Sequence, residues 1–146
     1  MQQVEISGSL ELKYPKMIKI PGRDSLSGEL HFWEDNTLFP QGILRCFWIT
    51  GVQEGLTRGN HAHLNESQVL VALAGCAYLE VESIDGKLHS FELRHPSEGV
   101  FVPPLNWTQV KCEEGTVVLG LSDREFSEED YIRDKSDFER LQKNFR

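Results

Sequence analysis

From Leu30 to Leu121 the chain runs as short apolar segments separated by Gly, Pro, Asp and Asn. No other feature limits the possible fold as strongly. Eight segments carry the pattern: Gly28–Glu34, Leu44–Val52, Ser67–Leu73, Ala77–Ser83, Lys87–Leu93, Gly99–Val102, Thr108–Cys112 and Thr116–Ser122. Each is rich in Val, Ile, Leu, Phe or Trp, side chains that fit a pleated, half-buried surface. Short strands with turn residues between them build a sandwich or barrel, whereas a parallel sheet needs helical stretches of roughly 10–15 residues in between. Ile84-Asp85-Gly86-Lys87 sets Asp-Gly between two such segments, a hairpin signal because both residues accept positive φ. Ala74-Gly75-Cys76 marks a second, tighter connection. Residues 1–30, with Pro15, Pro21 and several glycines, read as short edge strands and turns. Only the tail has a helical period: Ser127 as N-cap, Glu128, Glu129 and Asp130 in the first turn, then Tyr131, Phe138, Leu141 and Phe145. The expected fold class is all-β with a short C-terminal helical tail.

The 146 residues make one domain, 1–146, long enough to bury a core without disulfides or metal. The net charge is −8, with 23 acids against 15 bases. That speaks against a nucleic-acid binder, which would present a basic surface. An anionic small ligand needs only a local group of arginines. No stretch approaches the roughly 18 apolar residues of a membrane span, and Met1–Glu5 lacks the charged start and apolar run of a signal peptide. Cys46, Cys76 and Cys112 are odd in number, widely spaced and without a CxxC, as expected for reduced thiols in the cytoplasm.

The chemistry gathers in Arg58-Gly59-Asn60-His61-Ala62-His63. Histidines at i and i+2 on a strand share a face. Such a pair can be idle surface residues, metal ligands or an acid–base pair. Imidazole, with an ordinary pKa of about 6.5, gains and loses a proton near neutrality. Two imidazoles in one pocket repel when both are charged, so one stays neutral and can act as a base.

His61, His63, Gln68 and Gly75 follow the spacing of the first cupin motif, and Gly99-Val100-Phe101-Val102-Pro103-Pro104 followed by Trp107 resembles the second. The resemblance implies a cupin-type double-stranded β-helix, or jelly roll. Metal-binding cupins usually supply two His, one Glu and a later His. Here Gln68 stands at the Glu position and Trp107 at the later His position. An amide is a weaker ligand than a carboxylate, and indole has no usable lone pair. Two imidazoles alone do not complete a metal site. The expectation is therefore no metal and no cofactor. Glu66 is the acid that could stand in, and a metal-dependent cupin is kept as an alternative.

The match extends further. The Arg58–His63 run, Ser67-Gln68-Val69-Leu70-Val71, the Gly99–Trp107 segment and Asp130-Tyr131-Ile132-Arg133-Asp134 with Asp137-Phe138 resemble the dTDP-4-keto-6-deoxy-D-glucose 3,4-ketoisomerases, grouped with WxcM-like C-terminal domains. Gly28, Leu30 and Ile43-Leu44-Arg45 extend the resemblance, which covers about residues 24–140. Members of that family are metal-independent homodimers that make precursors of deoxyamino sugars for surface polysaccharides. The resemblance implies a dTDP-linked 4-keto sugar as substrate and His61 and His63 as the catalytic proton-transfer pair. Its implied substrate-binding residues are Arg58, Arg45, Gln68, Trp107, Phe101 and Trp48. The two arginines suit a diphosphate, because guanidinium pairs N–H groups with phosphate oxygens. Trp107 and Phe101 would wall the sugar or stack on the base. Phe47, Trp48 and Phe101 stand where tyrosines are frequent in the family, so a non-catalytic nucleotide-sugar-binding cupin is the second reading. A related 3,5-epimerase, which pairs a His with an Asp and uses a Tyr, ranks lower because no such arrangement is visible in the sequence. The tail residues Tyr131, Arg133 and Asp134 are expected to lock the C-terminal segment.

Overall fold

The computed structural model describes residues 12–145. The signal-peptide expectation at Met1–Glu5 and the first part of the 1–30 edge-strand region lie outside the described residues. Within them the chain forms β1 (Lys16–Lys19), β2 (Gly22–Ser25), β3 (Gly28–His31), β4 (Arg45–Ile49), β5 (Thr57–His63), β6 (Gln68–Ala74), β7 (Ala77–Ser83), β8 (Leu88–Leu93), β9 (Glu98–Val102), β10 (Asn106–Cys112), β11 (Val117–Ser122), β12 (Tyr131–Ile132) and α1 (Lys135–Asn144). All pairings are antiparallel. Two five-stranded sheets, in the orders β1-β9-β6-β11-β4 and β12-β5-β10-β7-β8, make the jelly-roll sandwich. The hairpin β2–β3 is a separate two-stranded sheet.

Strict alternation along the strands sorts the side chains. Leu70 and Ala72 of β6 join Leu79, Val81, Val100, Val110 and Val118 in a core drawn from both sheets. Val69 and Val71, one residue out of phase, pack on the outer face of the first sheet with Ile20, Phe39 and Phe101. The outer face of the second sheet buries Ala62, Trp107 and Ile132 beneath Phe138 of α1. Asp85-Gly86 turns β7 into β8 as expected, with Gly86 at φ 89° and its N–H donating to the Ser83 carbonyl at 2.8 Å. Gly75, by contrast, joins strands of different sheets: β6 belongs to the first and β7 to the second. It sits against Thr116, where a Cβ would meet the hydroxyl oxygen at 2.5 Å.

The tail departs from the expected helix. Ser127 precedes only a 3₁₀ turn, Glu128–Asp130, and its side chain makes no capping bond. Tyr131 and Ile132 leave that turn as a strand paired with β5, Tyr131 opposite His63. The helix starts four residues after Tyr131, capped by Asp134, whose carboxylate accepts from the Ser136 N–H at 2.9 Å. Pairing with the β5 edge and burial of Ile132 outweigh the helical spacing of the aromatic residues. No helix among the described residues is long and apolar enough to cross a membrane.

Candidate active site

β5 carries both histidines, and its construction decides where they point. The register on β10 shifts so that Thr108 pairs with His61 and Gln109 with Gly59, leaving Asn60 as the extra residue of a β-bulge. Gly59 and Asn60 have φ of 84° and 53°, a region that glycine enters freely and asparagine tolerates. A Cβ on Gly59 would lie 2.8 Å from the Thr108 carbonyl oxygen. Beyond the bulge the alternation resumes. Ala62 turns outward beneath α1, while His61 and His63 turn into a cavity of about 360 Å³ between the sheets.

The two imidazoles lie in different surroundings, although their ring centroids are only 4.9 Å apart and nearly perpendicular. Nδ1 of His61 is 2.9 Å from the Gly59 carbonyl oxygen. A carbonyl only accepts, so the ring hydrogen sits on Nδ1 and the Nε2 lone pair is free. Burial pushes the His61 imidazolium down to about 4, with positive charge at His63 and Arg133 acting the same way. His61 is therefore neutral at physiological pH. His63 is more deeply buried, and both its ring nitrogens face carboxylates: Nδ1 is 3.3 Å from Asp130 Oδ2, and Nε2 is 3.3 Å from Glu66 Oε2. Burial opposes ionisation of Asp130. Hydrogen bonds from His63, from the Asn65 side chain and from the backbone N–H groups of Asn65 and Glu66 prevail and hold its carboxyl below the usual range.

Tyr131 roofs the pair, its ring 4.3 Å from that of His63 and 4.9 Å from that of His61. Its hydroxyl accepts a long hydrogen bond, 3.5 Å, from the Arg45 guanidinium. The Arg133 guanidinium covers its outer face at 4.0 Å from the ring centre. Arg45 lies between the rings of Phe47 and Phe126 and faces Glu66 at 3.7 Å. Two buried polar atoms of cavity residues, Arg45 Nε and Asn106 Oδ1, have no hydrogen-bond partner among the described residues. Such atoms are costly unless a polar ligand meets them.

Six of the eight expected site residues line this cavity: His61, His63, Arg58, Arg45, Gln68 and Trp48. Arg58 and Trp48 lie exposed on its rim, Trp48 at 68%. Phe101 and Trp107 lie elsewhere. Each falls on the outward phase of its strand, beside the lining residues Val102 and Thr108. Phe101 packs against Phe39 and Trp107 against Phe138, so both serve packing and neither walls this pocket. Arg45 faces the buried Glu66; Arg58 and Arg133 stand at the rim, Arg133 forked onto Glu128 at 2.9 Å. Glu66, Asp130, Tyr131 and Arg133 are site residues that the sequence reading left out or gave other work. A His–Asp pair with a nearby Tyr is thus present after all. Its signal is the Asp130–Asp134 run, which carries the family resemblance and in which Tyr131, Arg133 and Asp134 are expected to lock the tail. Among the described residues, no group of three or more His, Cys, Asp or Glu is arranged to hold a metal ion.

Residues 13–143 match the family model described as WxcM-like, C-terminal. A TDP-4-oxo-6-deoxy-α-D-glucose-3,4-oxoisomerase of Aneurinibacillus thermoaerophilus is 30% identical over 115 residues, 77% of this chain and 81% of the relative. Among solved structures, a sugar 3,4-ketoisomerase of Thermoanaerobacterium thermosaccharolyticum in complex with TDP is 31% identical. It superposes with a TM-score of 0.82 over 90% of this chain and 97% of that one. A 3,4-ketoisomerase of Helicobacter canadensis is 25% identical with the same TM-score, over 88% and 97% of the two chains.

Proposed function

This chain belongs to the WxcM-like, C-terminal family, and from that premise we propose that it is a nucleotide-sugar 3,4-ketoisomerase acting on a TDP-linked 4-keto-6-deoxy sugar. The observation that carries the reading is the pairing of a neutral imidazole with one held between carboxylates, on one strand face in one cavity.

Isomerisation moves four protons without net redox change, and the pair divides them. His61 Nε2 takes the C3 proton. As the C3–H bond breaks, its electrons form C3=C4, and the C4 oxygen takes a proton from His63. In the second half the now neutral His63 takes the proton of the C3 hydroxyl. C3=O forms, and protonated His61 gives its proton to C4. Both rings end in their starting charge states, and the enediol is the shared intermediate. The donor at His63, with Arg45 behind it, stabilises charge developing on the C4 oxygen. Arg58 and Arg133 at the rim suit the diphosphate, and the exposed face of Trp48 suits the base. Gln68 lines the cavity with its amide nitrogen donating to Glu66 Oε2, and so holds that carboxylate beside His63. The chain is read as a cytoplasmic homodimer. Exposed Met17 on β1, Leu26 in the β2–β3 turn and Leu30 on β3 are the apolar surface such a contact would cover.

Phe47, without a hydroxyl, favours a binding-only cupin. The Tyr131 hydroxyl, which accepts from Arg45, argues against it. An epimerase would share the first proton abstraction and return the proton to C3. Incubation with TDP-4-keto-6-deoxyglucose, followed by NMR, separates the three. The expected product is the 3-keto isomer. Unchanged sugar that is nonetheless bound would establish the binding module, and an inverted C3 with the keto group still at C4 would establish the epimerase.

A further inference from the structure

Glu66 has no part in the proton transfers just described, yet it lines the cavity as a carboxylate only 2% exposed. A carboxylate so deep is costly unless donors or positive charge meet it. Three groups do: the Gln68 side-chain amide, which donates to Oε2, the Arg45 guanidinium at 3.7 Å and His63 Nε2 at 3.3 Å. The second nitrogen of the same ring faces Asp130. An ionised carboxylate offers only acceptors. A ring nitrogen without hydrogen would therefore oppose one of these acids lone pair to lone pair. Both contacts are hydrogen bonds only when both nitrogens carry hydrogen.

The wider field fits that state. Against His63 stand Glu66 on the β5–β6 loop and Asp130 at the end of the 3₁₀ turn. Arg45 on β4 is the cation that faces Glu66, while Arg133 after β12 is paired with Glu128. His61 on the same strand and Tyr131 on β12 complete the neighbours. Two acids face one cation, Arg45, and an imidazolium balances the set. Gln68 occupies the Glu position of metal cupins, and Glu66 places a carboxylate two residues earlier, against a ring nitrogen.

We propose that Glu66 is a positioning residue which, opposite Asp130, keeps a proton on Nε2 of His63 and so makes His63 the acid of the pair. The reaction it serves rests on the ketoisomerase reading; the charge state does not. When His63 gives its Nε2 proton to the sugar oxygen, that N–H bond breaks as the O–H bond forms. Glu66 then faces a bare lone pair, which favours taking the C3 hydroxyl proton in the second half. The assignment of which imidazole starts charged follows from this one carboxylate.

The test is nitrogen NMR of the ligand-free protein at pH 7. It is expected to find hydrogen on both ring nitrogens of His63 and on Nδ1 alone of His61. In Glu66→Gln the hydrogen on His63 Nε2 is lost, kcat falls on the order of a hundredfold with KM little changed, and Glu66→Asp recovers part of the loss. A wild-type His63 with a single ring hydrogen overturns the proposal whether or not the variants fold. So does a Glu66→Gln protein that keeps both hydrogens. A doubly protonated His63 in a chain that does not isomerise the keto sugar would uphold the charge assignment and sink the reaction instead.

Discussion

His61 and His63 are chemically the same residue two positions apart, and the fold makes them different. Burial lowers His61 to about 4, well under the ordinary value of about 6.5. The unfolded chain therefore binds more protons at this site than the folded one between those two values. Stability must fall as pH drops through that window, and His61→Asn should flatten the fall. Urea unfolding from pH 7 to 4.5, for wild type and variant, measures the difference. The same shift keeps the base neutral, so kcat/KM should hold as pH falls through 6.5 and decline only as it nears 4. The sequence made the pair legible because His-x-His on a strand has one geometric outcome. In the sequence Glu66 stands out only as a possible metal ligand, and Asp130 and Tyr131 only as parts of the tail. They reach His63 through a long-range pairing, Tyr131 opposite His63, that no local spacing encodes. Phe101 and Trp107 failed as site residues for a local reason: each is one residue out of phase with its cavity-facing neighbours.

At the scale of elements, the bulge in β5 aims the pair. In Gly59→Ala a methyl group would meet the Thr108 carbonyl, at a φ of 84°. A cost of about 1–3 kcal/mol is expected, together with a loss of activity beyond what stability explains, because His61 follows two residues later. Asp134→Ala gives the contrast. It removes the α1 cap at a cost of about 1 kcal/mol and should leave turnover unchanged. Denaturation midpoints and initial rates for both variants separate aiming from anchoring. Strands bounded by Gly, Pro and Asp were legible because apolar runs and turn chemistry coincide in them. β5 is absent from the eight expected segments because it is polar: Thr57, Arg58, Asn60 and the histidines face the cavity or solvent, and only Ala62 packs into a core. The tail departs from its expected helix because Ser127 and three acids imitate a helix start and yield only a 3₁₀ turn. The real start lies at Asp134, where a carboxylate meets the Ser136 N–H.

Across the whole molecule, a chain of net charge −8 has to attract a diphosphate. On the proposed reading, Arg58 at the rim answers the overall repulsion locally, within reach of a screened field. TDP should therefore raise the melting temperature, by about 2.7 kcal/mol of stabilisation at a hundredfold excess over Kd. Added salt and Arg58→Gln should each reduce that shift. Fold class was readable from punctuation and the cupin spacing, whereas the strand order was not. β6 and β7 look like a hairpin across Gly75 and yet belong to opposite sheets, a choice made by packing around the common core. The account as a whole stands on His61 moving a carbon-bound proton. The direct measurement is NMR of TDP-4-keto-6-deoxyglucose in deuterium oxide with wild type and His61→Asn, with TDP binding checked in both. Loss of the C3 proton signal with wild type, and its persistence in a variant that still binds TDP, is the predicted result; loss at the same rate in both would contradict it.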